Sequence, residues 1–472
     1  MKRAVLLMLT LPLCASYAEP TAQRAVSFAG DTTRTNISWQ DAMPILRVLR
    51  RDLLPVELQS ERLQDVESLW PDWVSRRDAE IRVRLARGDE DSVVNFLLFG
   101  VTFTAAPRVA ERDVLNGLSA ETVERRIGDL AAAVESPGDN ERLRFARKVI
   151  ERNGIHIAAG IGREQVREYL RQRVARFTDD AQRVDREIRA KVGLVSADPD
   201  RKGALGLTVF RDRGLSSDTS LLVNFAIDET LQALKSEEKL GGGSIRRVAI
   251  LGPGLDFTDK REGYDFYPEQ TIQPFAIVDS LLGLGLAKES DLKVVTFDLS
   301  PRVNDHLAAA RRRADSGGEY VLHLVRDPYQ WSPGLVSYWE RFGSSVGTTV
   351  KAVQVPSGLP EVQIRAVSVR PSIVRSILPM DLNVVLQRLE GLVAEERFDL
   401  IIGTNVFVYY DVFEQSLALA NIAKMLRSRG WLLTNSPLLE LPPIPVTSMG
   451  FLEVVYNDRT GGDDRIELYQ RQ

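Results

Sequence analysis

Residues 205–472 predict an α/β fold, a doubly wound parallel sheet closed by an antiparallel hairpin, and residues 19–195 predict an all-helical domain ahead of it. Three observations carry this. Between Ile37 and Ala190 apolar residues recur at spacings of three and four, as in Ala42, Ile45, Leu46 and Leu49, the period of a helix face. After Gly241 short β-branched runs alternate with helical ones, which is how a parallel sheet covered on both faces reads. The two styles meet at a polar stretch, Ser196 to Gly203, that contains Pro199.

Taken in order, Lys2 and Arg3 precede an apolar run, Ala4 to Ala15, and Ser16-Tyr17-Ala18 puts small residues at a cleavage position. Residues 1–18 are therefore expected to be an export signal, giving an exported or periplasmic protein. A retained N-terminus or a mis-assigned start gives a cytoplasmic one. No later run of 18 apolar residues occurs, so no transmembrane span is expected after the signal. In the helical half, Val93 to Phe103 reads as a buried helix, Ser119 to Thr122 as a helix start, and Gln165 to Arg189 as a helix of strong formers. Phe210 to Thr219 is a polar loop before the apolar helix Leu221 to Leu234.

Strands are expected at Arg247–Leu251, Lys293–Asp298, Val362–Val369, Asp399–Ile402 and Trp431–Thr434. Phe451–Tyr456 and Arg465–Tyr469, separated by a turn with Gly461-Gly462, read as the hairpin at the sheet edge. A long insertion, Tyr329 to Pro360, holds Trp331, Tyr338 and Trp339 and is expected to cover the site or to pack against the helical half.

Composition excludes several classes of function. The chain has 472 residues, with 61 basic and 65 acidic ones and a formal charge of -4. General nucleic-acid binding is not expected from that balance. Arg302, Arg311, Arg312 and Arg313 read as a solvated helix face or, alternatively, as a local basic patch. Cys14 is the one cysteine, and the three histidines (His156, His306, His323) form no pair at ligand spacing. No metal site is expected.

Four segments carry chemistry. Val248-Ala-Ile-Leu-Gly-Pro-Gly-Leu-Asp256 runs a strand into Gly252 and Gly254, where a missing Cβ lets a ligand approach the backbone; a simple tight turn reads the same way. Val294 to Asp298 ends the next strand in a carboxylate, suited to ribose hydroxyls or to a helix N-cap. Leu378-Pro-Met-Asp-Leu-Asn383 offers Asp381 and the Leu382 backbone to an adenine, or again a helix cap. Phe398 to Asp411 is a strand ending at Asn405-Val406, followed by Tyr409 and Tyr410, a helix, and the turn Arg427-Ser-Arg-Gly430 into another strand.

The order of these four segments resembles class I S-adenosylmethionine-dependent methyltransferases. The fourth is similar to the matching stretch of chemotaxis-receptor methyltransferases. The resemblance covers about residues 205–472 and implies a Rossmann-like sheet, S-adenosyl-L-methionine as cofactor and an unknown methyl acceptor. It implies that Gly252 and Gly254 flank the methionine part, Asp298 holds the ribose, Asp381 and Leu382 hold the adenine, and Asn405 lies near the sulfonium. Tyr409 lies at the substrate mouth or packs in the core. The sequence departs from the pattern at Ile250, where the family's glycine strand is usually acidic, and at Asp256, which replaces the third glycine and stands as a candidate for the ammonium group.

Tyr264, Tyr267, Gln270 and Gln273, just after the glycine turn, are candidates for a substrate wall or lid, or form an ordinary packed loop. No catalytic base is identifiable; His323 and Asp265 are candidates by position alone. The rival readings are a catalytically inactive fold that binds a ligand or partner, and a nicotinamide oxidoreductase. The second is disfavoured by Phe257 where a third glycine belongs.

Overall fold

The computed structural model describes residues 33–60, 62–157, 162–195, 210, 213–219, 221–258, 264–326, 331–457 and 462–472. The expected export signal (1–18) and the linker at 196–203 lie outside them. In chain order the elements are β1 (Thr33–Asn36), α1 (Trp39–Val48), α2 (Leu63–Phe99), α3 (Glu111–Asn116), α4 (Ala120–Ala133), α5 (Glu141–Arg152) and α6 (Arg163–Val195). Next come α7 (Leu222–Ser236), β2 (Arg247–Leu251), α8 (Gln273–Gly283), β3 (Lys293–Asp298), α9 (Pro301–Asp315), β4 (Tyr320–Arg326), α10 (Pro333–Arg341), β5 (Gly347–Val350) and β6 (Gln363–Val369). The chain closes with α11 (Pro371–Ser376), β7 (Ile377–Asp381), β8 (Gln387–Glu390), β9 (Phe398–Gly403), α12 (Val412–Met425), β10 (Leu426–Thr434), β11 (Val446–Asn457) and β12 (Gly462–Arg471).

Seven strands form the main sheet in the order β11-β12-β10-β9-β2-β3-β7. The run from β10 to β7 is parallel; β12 joins β10 antiparallel, and β11 joins β12 antiparallel. The fold is therefore α/β. The period of two along β2 sends Val248 and Ile250 into one core and Ala249 and Leu251 into the other. The first core is built with α7, α8 and α9, the second with α1, α12 and the first half of α2. A third cluster joins Val93–Phe99 at the far end of α2 to α4, α5, α6 and Phe257. Ser119 caps α4 and Asn140 caps α5, each accepting a hydrogen bond from a first-turn N–H.

The structure corrects three expectations and narrows a fourth. Thr33–Asn36 is a strand paired with β8, so the N-terminal half is not wholly helical. The run at 362–369 stays out of the main sheet: β6 is the centre of a separate antiparallel sheet, β4-β6-β5. The third parallel strand is β7 instead, the segment read as a helix cap, with Pro379 tolerated because β7 is an edge. The described part of the insertion, 331–360, does not line the cleft, and its Val353, Val355 and Leu359 share an apolar cluster with Tyr264, Tyr267 and Val101 of the helical half. Tyr338 and Trp339 sit in the first core, with Tyr338 5.6 Å from Phe225 of α7.

Candidate functional site

Chain order reverses between β2 and β9, and at such a switch point the loops leaving the two strand tips part to open a crevice. A cleft of about 850 Å³, its open mouth included, lies there. Gly252, Gly254, Asp298, Leu382, Asn405 and Tyr409 all line it. Both glycines have positive φ, +60° and +63°. A Cβ on Gly252 would lie 2.9 Å from Val406 Cγ2, and one on Gly254 would lie 2.7 Å from the Ser217 carbonyl oxygen. The turn therefore needs glycine twice, for backbone conformation and for space.

Asp298, at the tip of β3, is 8% exposed and accepts a hydrogen bond from the Ser300 N–H at 2.8 Å. Burial pushes its carboxyl up to about 7, against the lowering pull of the backbone N–H groups of Ser300, Gly254 and Leu299. Asn405, at the tip of β9, has φ of +58°. Its N–H donates to Asn435 Oδ1 at 2.8 Å and its Oδ1 accepts from Asn435 Nδ2 at 2.7 Å, which ties it to the tip of β10. Gln273 of α8 donates to Thr404 Oγ1 at 2.8 Å, so the cleft floor is held from the opposite helix layer.

Other expected site residues sit elsewhere. Asp381 does not line the cleft: both carboxylate oxygens take the fork of Arg82 on α2, at 2.9 and 3.1 Å. Asn383 and Val384 line the cleft at that strand tip beside Leu382. Asp256 also turns away, accepting from Tyr267 Oη at 3.2 Å and Gln270 Nε2 at 2.8 Å. Tyr264, Tyr267 and Gln270 are buried at 4%, 4% and 1% exposure and make no substrate wall. They form a packed loop clamped by the buried Arg142 of α5, which donates to the carbonyls of Asp256, Phe257, Tyr264, Asp265 and Tyr267.

The two candidate bases are structural. Asp265 receives the N–H groups of Val101 and Thr102 at 2.7 and 2.9 Å. His323, held low by burial, stacks on Tyr267 with ring centroids 5.8 Å apart. Tyr410 is buried in the second core while still touching the cleft, and Tyr409 packs against the same core beside Phe210 and also lines the cleft.

The strap Leu215–Thr219 and Leu85 of α2 complete the cleft, and sequence reasoning missed both. The polar run Ser216-Ser-Asp-Thr219 was visible. Its partner was not: Thr219 N–H donates to the Leu255 carbonyl at 3.0 Å and Leu255 N–H to the Ser217 carbonyl at 2.6 Å. Gly88 lets the strap touch α2, since a Cβ there would lie 1.8 Å from the Leu215 carbonyl oxygen. Among the described residues lining the cleft, two are carboxylates, Asp218 and Asp298, and none is Lys, Arg or His. Among the described residues no group of His, Cys, Asp and Glu is arranged to hold a metal, and no helix is long and apolar enough to cross a membrane.

No protein-family model matches the chain, and no curated protein matches it. Similar solved structures include several methyltransferases. The N-methyltransferase NodS from Bradyrhizobium japonicum WM9 is 11% identical over 52% of this chain and 96% of its own, with a TM-score of 0.25. Magnesium protoporphyrin IX methyltransferase from Synechocystis PCC 6803, solved with bound SAM, is 10% identical over 53% and 80%, also at 0.25. TrmN from Thermus thermophilus is 14% identical over 53% and 52%, at 0.26. Likeness at this level carries no functional weight.

Proposed function

We propose that the chain is an S-adenosylmethionine-dependent methyltransferase whose cofactor lies in the cleft at the tips of β2, β3 and β9. The observation that carries this reading is the cleft's lining: it holds two carboxyl groups, Asp218 and Asp298, and no cationic side chain among its described residues. Such a lining suits a cationic sulfonium. The glycine turn fits the group as well, because both glycines line the cleft with bare backbone at positive φ.

When bound, the sulfonium supplies an already activated methyl group. This chain's task is then to orient and to exclude water. Asp298 accepts from the ribose hydroxyls, Leu382 and Val384 cover the adenine, and Asn405 stands beside the reacting end. Tyr409, in the same lining, would border the acceptor. The resemblance of the Asn405-Val406 segment to chemotaxis-receptor methyltransferases supports the same placement and names no acceptor for this chain.

Calorimetric titration of residues 19–472 with S-adenosylhomocysteine tests the proposal. Micromolar binding that is lost in Asp298→Ala is the expected result. Absence of binding at millimolar ligand would refute it and leave a fold that serves another ligand or partner.

A further inference from the structure

In the glycine strand the position two residues before Gly252 is Ile250, and its side chain is fully buried in the first core beside Val248 and Val294. It offers no charge to the cleft. Asp256, the other carboxylate near the turn, is spent on Tyr267 and Gln270. An S-adenosyl ligand nevertheless brings an ammonium group on its amino-acid arm, and an ammonium taken out of water needs acceptors.

We propose that Asp218 receives that ammonium. The inference rests on the reading of the cleft given above. Asp218 forms a parallel bridge with Leu255, the residue that follows Gly254, and the strap's two backbone hydrogen bonds on either side fix it there. Gly254 permits the approach, because a Cβ would strike the Ser217 carbonyl oxygen. The carboxylate lines the cleft and is oriented from α2: Ser92 Oγ donates to Oδ1 at 2.9 Å and Asn95 Nδ2 to Oδ2 at 3.2 Å. Each carboxylate oxygen is thus aimed by a side chain of α2. Adenosine seated over β3 and β7 leaves the amino-acid arm at the other side of the glycine turn, under the strap. The helical half thus contributes to ligand binding by holding a carboxylate that β2 lacks.

The test compares two ligands on the full chain by calorimetry. S-adenosylhomocysteine carries the amino-acid arm; 5′-deoxy-5′-methylthioadenosine keeps the adenosine and thioether without it. Asp218→Asn is expected to weaken S-adenosylhomocysteine by roughly ten- to a hundredfold, the range for a charge-assisted hydrogen bond. It is expected to leave methylthioadenosine within about threefold. Ser92→Ala, a milder change, is expected to show a smaller loss confined to the same ligand. Equal losses for both ligands would mean that Asp218 only shapes the fold, and unchanged affinity for both would place the ammonium elsewhere; either overturns the inference. If the native chain binds neither ligand, the adenosyl reading itself fails and this inference fails with it.

Discussion

Asp298 makes a prediction in which stability and binding respond oppositely. Its carboxyl is lifted from 3.8 to about 7 by burial, and each tenfold change in proton affinity is about 1.4 kcal/mol, so the ionised form costs the empty fold on the order of 4 kcal/mol. The sign follows from linkage: between those two values the native state holds a proton that the unfolded chain has released, so stability falls as pH rises. The loss begins near 4 and is complete somewhat above 7. Asp298→Asn has no proton to lose and keeps an oxygen for the Ser300 N–H.

Thermal unfolding of the native chain and of Asp298→Asn between pH 5 and pH 8, without ligand, is the assay. The variant is expected to gain on the native protein as pH rises, by several degrees in Tm for a shift of this size. Adenosyl binding runs the other way. Ribose hydroxyls donate to the ionised carboxylate, so affinity for S-adenosylhomocysteine is expected to rise through neutral pH in the native chain and to stay low and flat in the variant. Parallel stability curves for the two proteins would refute the reasoning, because they would mean that the carboxyl is solvated and already ionised at pH 5.

Three further outcomes are expected. Gly254→Ala carries a positive-φ cost of about 1–2 kcal/mol and a collision with the strap; calorimetry should show at least a tenfold loss of S-adenosylhomocysteine affinity, and native affinity would count against the cleft. Arg142→Met strips the donors from five loop carbonyls. At about 1–3 kcal/mol for each buried acceptor left unpaired, urea unfolding should register a loss of several kcal/mol. Arg82→Ala breaks a half-exposed ion pair with Asp381, worth less than about 1 kcal/mol. It should leave S-adenosylhomocysteine affinity within about twofold, and a larger loss would return Asp381 to the ligand.

What the sequence made legible is what local chemistry encodes. The strand-to-glycine turn at Gly252 and Gly254, the acidic end of β3 and the polar end of β9 are each written in consecutive residues, and the structure brings all three to one cleft. What stayed hidden depends on partners far along the chain. Tyr267 and Gln270 look alike whether a loop lies open or packed, and the residue that packs theirs, Arg142, arrives from the helical half. The run at 362–369 has the composition of a main-sheet strand, yet strand pairing is decided by which edge is free, and β4 and β5 claim it. Asp381 stands at the tip of a strand that the sequence did not announce, and its carboxylate takes the fork of Arg82 on α2.

Helix α2 belongs to two cores at once, with Val66, Trp70, Trp73, Val74 and Ile81 in the one against the sheet and Val93–Phe99 in the other. During synthesis it leaves the ribosome before any strand of the main sheet exists. Its tryptophan-bearing face must therefore wait in water, or on a chaperone, until β10 has been translated. A nascent chain of this design is most prone to aggregate midway through translation, and shortening it from the N-terminus would strand the sheet's apolar face instead of yielding a smaller folded unit.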